Sequence, residues 1–339
     1  MTKNHNVYRH VVIWFLVLLF AIGISLFVGS TGITWKFDNQ LEWTIFYKLR
    51  VPRTLLALIA GMGLVMSGQI YQTILNNPLA DSFTLGLASG ATFGSALAVF
   101  IGVSIWFVPL FSIFFSLLTL IVVVLITETM VKTFHVATMI LSGIFIGAFF
   151  SSALYILLLL KPDKVNSMVS YMFGSVSSAE KITVEITGIV TLICILILFM
   201  MSHYIKMIQL GEDKATTLGV NVRLISWTCL LLAAIMTAVI ISFTGIIGFI
   251  GMIVPQVVRR VYKVPINVQM MLNLLIGGAL LLIADTIGRI IISPIQIPVG
   301  IILSIIAIPI MMYLMITEQR KKKELTEYLR YQSVLNHNQ

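Results

Sequence analysis

Apolar runs of close to twenty residues recur from Val11 to Ile316, separated only by short polar connections. A run of that length as a helix spans the roughly 30 Å hydrocarbon core of a bilayer. Lipid offers no hydrogen bonds, so each run must satisfy its own backbone, which a helix does. The runs fall at Val11 to Val28, Thr54 to Leu75, Phe83 to Ile105, Phe107 to Ile126 and Ala137 to Leu160, then at Ile182 to Met201, Leu224 to Phe243, Ile246 to Val258, Met270 to Ile292 and Pro298 to Ile316. The eighth is short and holds Pro255, so it reads as a tilted or broken piece buried among other helices. With 59% hydrophobic and 10% charged residues over 339 positions, a soluble globular domain is excluded. The expected fold is an all-α polytopic membrane protein. It has a short N-terminal segment (1–10), a single ten-helix membrane domain (11–316) and a C-terminal tail (317–339).

The formal charge of +9 does not indicate nucleic-acid binding, because the basic residues are scattered between apolar runs. Their distribution is a topology signal. Ten crossings with both termini inside put most Lys and Arg on the inner side, and the main violation is Lys48, Arg50 and Arg53, just before the second run. Arg289 joins them at the same side. Anchoring helix ends through phosphates or nearby carboxylates is the structural account of such cations. The first run follows Lys3 and Arg9 without a small-residue cleavage site after it, and reads as a retained span. Cys194 and Cys229 lie in apolar stretches without a CxxC partner, so neither a disulfide framework nor a metal motif is expected.

Polar chemistry inside the runs is sparse. Asp285 stands four residues before Arg289, on one helical face, and a local ion pair is the simplest role for it. A proton relay is the alternative, and an ion-coupled secondary transporter would need one. The five histidines are dispersed, and no HExxH, Walker or GxSxG pattern is present, so a membrane-embedded enzyme has little support. Two further segments stand out. Met168 to Phe173 reads as a short surface helix. The stretch HYIKMIQLGEDKATTLGVNVR, His203 to Arg223, is the longest inner connection, with Gly211 and Gly219 as helix boundaries. It is either an ordinary loop or a pair of short amphipathic helices that dock on a cytosolic partner.

The stretches LRVPRTLLALIAGMGLVMSGQIYQTILNNPLAD, LGLASGATFG, LGEDKATTLGVNVR, GIIGFIGMIVPQVVRR, LLLIADTIGR and IPVGIILSIIAIPIMMYLM together resemble the FecCD family of ATP-binding-cassette (ABC) importer permeases, almost from end to end. The resemblance implies the type II importer permease fold, with two such subunits around one pathway lined by the fifth and tenth spans. It also implies two cytosolic ATPases that hold ATP and Mg, an extracytoplasmic binding protein, and no cofactor on this chain. Arg50, Arg53 and Arg289 match outer arginines that in the cobalamin-importer branch receive acidic residues of the binding protein. The turn holding Asn77, Pro78 and Asp81 matches a family feature that shapes helix packing. Glu212, Ala215, Leu218 and Gly219 match the surface seated in an ATPase groove. Val136 and Ala137 fall at the inner constriction, where His135, Val136 and Ala137 replace the hydroxyl-rich gate of the cobalamin branch. Ferric siderophore is the expected cargo, with haem or cobalamin as alternatives. The expected location is the bacterial cytoplasmic membrane, with both termini cytoplasmic.

Overall fold

The computed structural model describes residues 2–29, 32–33, 40–130, 136–160, 173–314 and 316–317. Helix α1 (Thr2–Phe27) leads into a hairpin of two-residue strands, β1 (Val28–Gly29) and β2 (Gly32–Ile33), the one departure from an all-helical chain among the described residues. Then follow α2 (Gln40–Ile45), a π-helical turn (Phe46–Arg50) and α3 (Val51–Ile74), which run on as one helix. The remaining long helices are α4 (Leu87–Ile101), α5 (Val108–Met130), α6 (Val136–Leu160) and α7 (Lys181–Met200). Two short helices, α8 (Ser202–Ile208) and α9 (Glu212–Thr217), precede α10 (Val222–Thr244), α11 (Ile250–Val261), α12 (Ile266–Ile290) and α13 (Val299–Leu314).

Among the described residues seven helices are long and apolar enough to cross a membrane, and α4 and α13 are shorter apolar helices. With the 12-residue α11 they coincide with the ten expected spans. Two boundaries differ from expectation. The second span starts at Gln40 rather than Thr54, because the π-turn carries the helix through Arg50 instead of ending it. The third shrinks from Phe83–Ile105 to α4, because Gly86 (φ 71°) and Gly102 (φ 86°) turn the chain left-handed at both ends. Of the expected surface helix, residues 168–172 lie outside the described residues, and Phe173 stands in a turn.

Helix α3 is the centre of the bundle. Of its most apolar window 78% is buried, against 17% for α1 at the periphery, and it packs on α7, α10, α11 and α12. Small residues make this possible: a Cβ on Gly61 would run into the Gly277 carbonyl of α12, and one on Gly68 into the Gly251 carbonyl of α11. The core around α3 includes Leu56, Val65 and Tyr71, with Met236 from α10 and Leu281 from α12.

Beyond Thr244 the regular helix breaks. Gly245 takes φ 70° and Phe249, unusually for a bulky residue, φ 67°, before α11 resumes at Ile250. The backbone exposed by the break is partly satisfied from the connection after α6, where the Ser175 amide donates to the Thr244 carbonyl at 2.7 Å.

Candidate functional site

Three arginines predicted from two stretches meet at one end of the bundle. Arg50, at the end of the π-turn, is 8% exposed, and its Nη1 donates to the carbonyls of Leu26 and Phe27, both at 3.1 Å. These carbonyls close α1, where intrahelical donors have run out and a cation complements the helix dipole. Arg53, one turn on, grips Asp285 of α12 with two nitrogens. Its Nη2 donates to Oδ1 at 2.8 Å, and its Nε lies 3.1 Å from Oδ2 and 3.2 Å from Oδ1. Its Nη1 donates to Gln296 Oε1 at 2.6 Å. Such a forked pair fixes direction as well as charge.

Asp285 also serves Arg289, whose Nε lies 3.2 Å from Oδ2. The rest of that guanidinium turns inward: Nη1 donates to the Ser25 carbonyl at 3.2 Å, and Nη2 to Ser25 Oγ at 2.9 Å and Thr286 Oγ1 at 3.0 Å. Ser25 Oγ in turn lies 2.9 Å from Thr54 Oγ1, so α1, α3 and α12 are tied together at this level. Arg289 is 3% exposed and Asp285 2%. One carboxylate thus stands among three guanidinium groups, an excess of two positive charges in this group of four. The three arginines border a cleft of about 360 Å³ whose other walls include Ile45, Leu49 and Gln296. The i,i+4 spacing of Asp285 and Arg289 was visible in sequence. The contact of Arg53 with Asp285, 232 positions away, and the part played by Ser25 and Gln296 were not.

At the opposite end, His203 to Arg223 forms two short helices, α8 and α9, rather than an irregular loop. Gly211 (φ 108°) starts α9, Gly219 (φ 81°) ends the turn after it, and Asn221 caps α10 by accepting from the Leu224 amide at 3.1 Å. Leu218 is 58% exposed and Gly219 is exposed beside it. Ala215, in α9, is fully buried within the chain. The Glu212 side chain lies outside the described residues. So do the side chains of Val136 and Ala137, although the backbone of α6 begins at Val136.

The turn after α3 is built as packing. Asn77 Oδ1 accepts from the Leu79 amide at 2.9 Å, and Asp81 Oδ1 from the Thr84 amide at 2.7 Å. Burial pushes the Asp81 carboxyl above the usual carboxylate range, against the Thr84 hydrogen bonds that pull it down. The Gln256 amide of α11 donates to the Pro78 carbonyl. Gln72 donates to the Met252 carbonyl at 2.8 Å and accepts from Arg259 Nη2 at 3.2 Å, so the end of α3, the turn and α11 form one unit.

Residues 15–317 match the model of the FecCD transport family. The hemin transport system permease protein HmuU of Yersinia pestis is 29% identical over 321 residues, covering 91% of this chain and 95% of the relative. The Fe(3+)-citrate import system permease protein YfmE of Bacillus subtilis is 29% identical over 317 residues, covering 92% and 94%. Among solved structures, one described as a metal-chelate type ABC transporter in an inward-facing conformation superposes with a TM-score of 0.81 at 26% identity, covering 91% of this chain and 99% of that one. The chain is a multi-pass membrane protein that belongs to the FecCD transport family, as an ABC importer permease of the type II fold.

Proposed function

We propose that this chain passes a ferric siderophore across a bacterial cytoplasmic membrane, receiving it from an extracytoplasmic binding protein and driven by ATP and Mg on two separate ATPase subunits. A second permease subunit, the same chain or a related one, completes the pathway. The supporting observation is that the two ends of the bundle differ in chemistry, one lined by arginines and the other by exposed leucines. The arginine end, with its excess positive charge around an open cleft, is read as extracytoplasmic and suited to carboxylates of a binding protein. The α8–α9 end, with Leu218 on its surface, is read as cytosolic and suited to an ATPase groove.

On this reading ATP acts by stabilising one arrangement of the ATPase pair over another, and the connector transmits that preference to the ten helices. The buried salt bridges keep the arginines at fixed positions, so the binding protein meets a preorganised surface. The names of the relatives cover hemin and ferric citrate as well, so cargo is the point to test.

The test is uptake of iron-55 in cells lacking the chain and in cells with it restored, across catecholate and hydroxamate siderophores, ferric citrate and haem. Restoration for one siderophore class, lost on removal of the ATPase, is the expected result. Restoration for haem or ferric citrate alone would overturn the cargo and keep the permease assignment.

A further inference from the structure

The helix that carries Arg50 and Arg53 is longer than a membrane requires. From Gln40 to Ile74 it holds 35 residues, or about 52 Å at 1.5 Å per residue. The 24 residues of α3 alone span about 36 Å, more than the roughly 30 Å hydrocarbon core. With α3 upright across the core, the part before Val51 lies past the hydrocarbon on the arginine side, at the level of the headgroups.

That arm carries exposed apolar side chains between polar ones such as Glu42 and Lys48. Leu41 is 70% exposed, and Tyr47 and Leu49 are each 59% exposed. Trp43 stacks on Tyr47 with ring centroids 5.4 Å apart. Four-residue spacing places Leu41, Ile45 and Leu49 on one side of the arm, and Ile45 and Leu49 border the same cleft as Arg53. An apolar wall thus stands directly above a cationic floor.

Resting on the proposed import function, we infer that this arm, Gln40 to Arg50, is the apolar half of the binding-protein dock. Its occupant is a lobe of the binding protein that carries a surface carboxylate bordered by apolar side chains. The carboxylate meets the arginine floor, and its apolar border covers Leu41, Ile45 and Leu49. Acyl chains fit poorly, since the arm stands above the depth they reach. A second copy of the chain fits poorly too, because a two-fold contact would set one cationic cleft against another.

The experiment uses the full chain in cells with its own ATPase and binding protein. A photoreactive p-benzoylphenylalanine is placed at Leu41 or at Tyr47. The expected adduct is the binding protein of this importer, identified by mass, and it disappears when Arg53→Glu is added. In purified vesicles of neutral phosphatidylcholine, Leu41→Ser with Leu49→Ser is expected to raise the binding-protein concentration for half-maximal uptake about tenfold at unchanged maximal rate, the scale of losing two apolar contacts at an interface. Both residues are exposed, so the double variant is not expected to disturb folding.

Adducts confined to phospholipid, to a second copy or to the chain itself would overturn the inference. So would an unchanged half-maximal concentration in the double variant while Arg53→Glu still abolishes uptake; the import function would then stand without the arm. Uptake that survives Arg53→Glu in correctly inserted chain would instead remove the docking function on which the inference rests.

Discussion

The two ends of this bundle solve opposite problems. At the arginine end the charged groups are pulled almost wholly into the protein, with Arg50, Asp285 and Arg289 each no more than 8% exposed. At the connector end the chain does the reverse, leaving Leu210 and Leu218, in the turns after α8 and α9, and Leu224, at the start of α10, more than half exposed. Buried charges are costly unless paired and hydrogen-bonded, so the first end is rigid and intolerant of change. An exposed leucine in such a connection contributes little to stability, so the second end is free to be shaped by what it touches. On the proposed function, the rigid end receives the binding protein and the adaptable end meets the ATPases.

Asp285 is where the contrast is most exposed to test. Asp285→Asn leaves Arg53 and Arg289 as neighbouring buried cations without their shared anion, and the expected cost is about 3–5 kcal/mol. Thermal unfolding of the purified chain in lipid nanodiscs should show it as a large drop in Tm. A drop no larger than that of a surface variant would mean that water or lipid headgroups already neutralise this end. Arg50→Ala comes next: it strips the α1 terminal carbonyls of a charged donor, with an expected loss of about 1.5–3 kcal/mol. A loss below 0.5 kcal/mol would place the anchoring of α1 elsewhere.

At the other end stability and function should separate. Leu218→Ser is expected to shift stability by no more than about 0.5 kcal/mol, while cargo-stimulated ATP hydrolysis by the assembled importer falls at least several-fold. Normal stimulated turnover in that variant would show that the ATPases do not seat on Leu218, and the difference between the two ends would then be one of burial alone.

How much of this was legible in sequence follows from what each feature depends on. The ten helices were, because the need to bury twenty apolar residues per crossing leaves few alternatives. The short eighth span was in part: Gly245 breaks the chain ahead of it, whereas α11 runs through Pro255. The pair α8 and α9 was one of two readings open for that stretch, and Gly211 and Gly219, which adopt positive φ, marked its boundaries. What escaped were features set by distant packing. The helix runs back to Gln40 because Arg50 finds its acceptors on α1, and no local signal encodes that. The full burial of Ala215 within the chain likewise depends on how the segments around α9 pack, which its small size alone does not encode.

Ionic strength gives the smallest effect and the finest discrimination. If binding-protein docking uses the arginine cleft, raising salt from about 0.15 M to 1 M shortens the Debye length from about 8 to 3 Å. The guanidinium groups, however, lie within the protein, where screening is weak, and their positive excess is reduced by Asp285. Docking affinity should therefore fall by only a few-fold, while ATPase assembly at the connector stays flat. The on-rate should carry most of the fall, because steering acts at distances that salt screens. A collapse of docking by several orders of magnitude would locate the recognised cations on the exposed rim, with Lys48 foremost among them, rather than in the cleft.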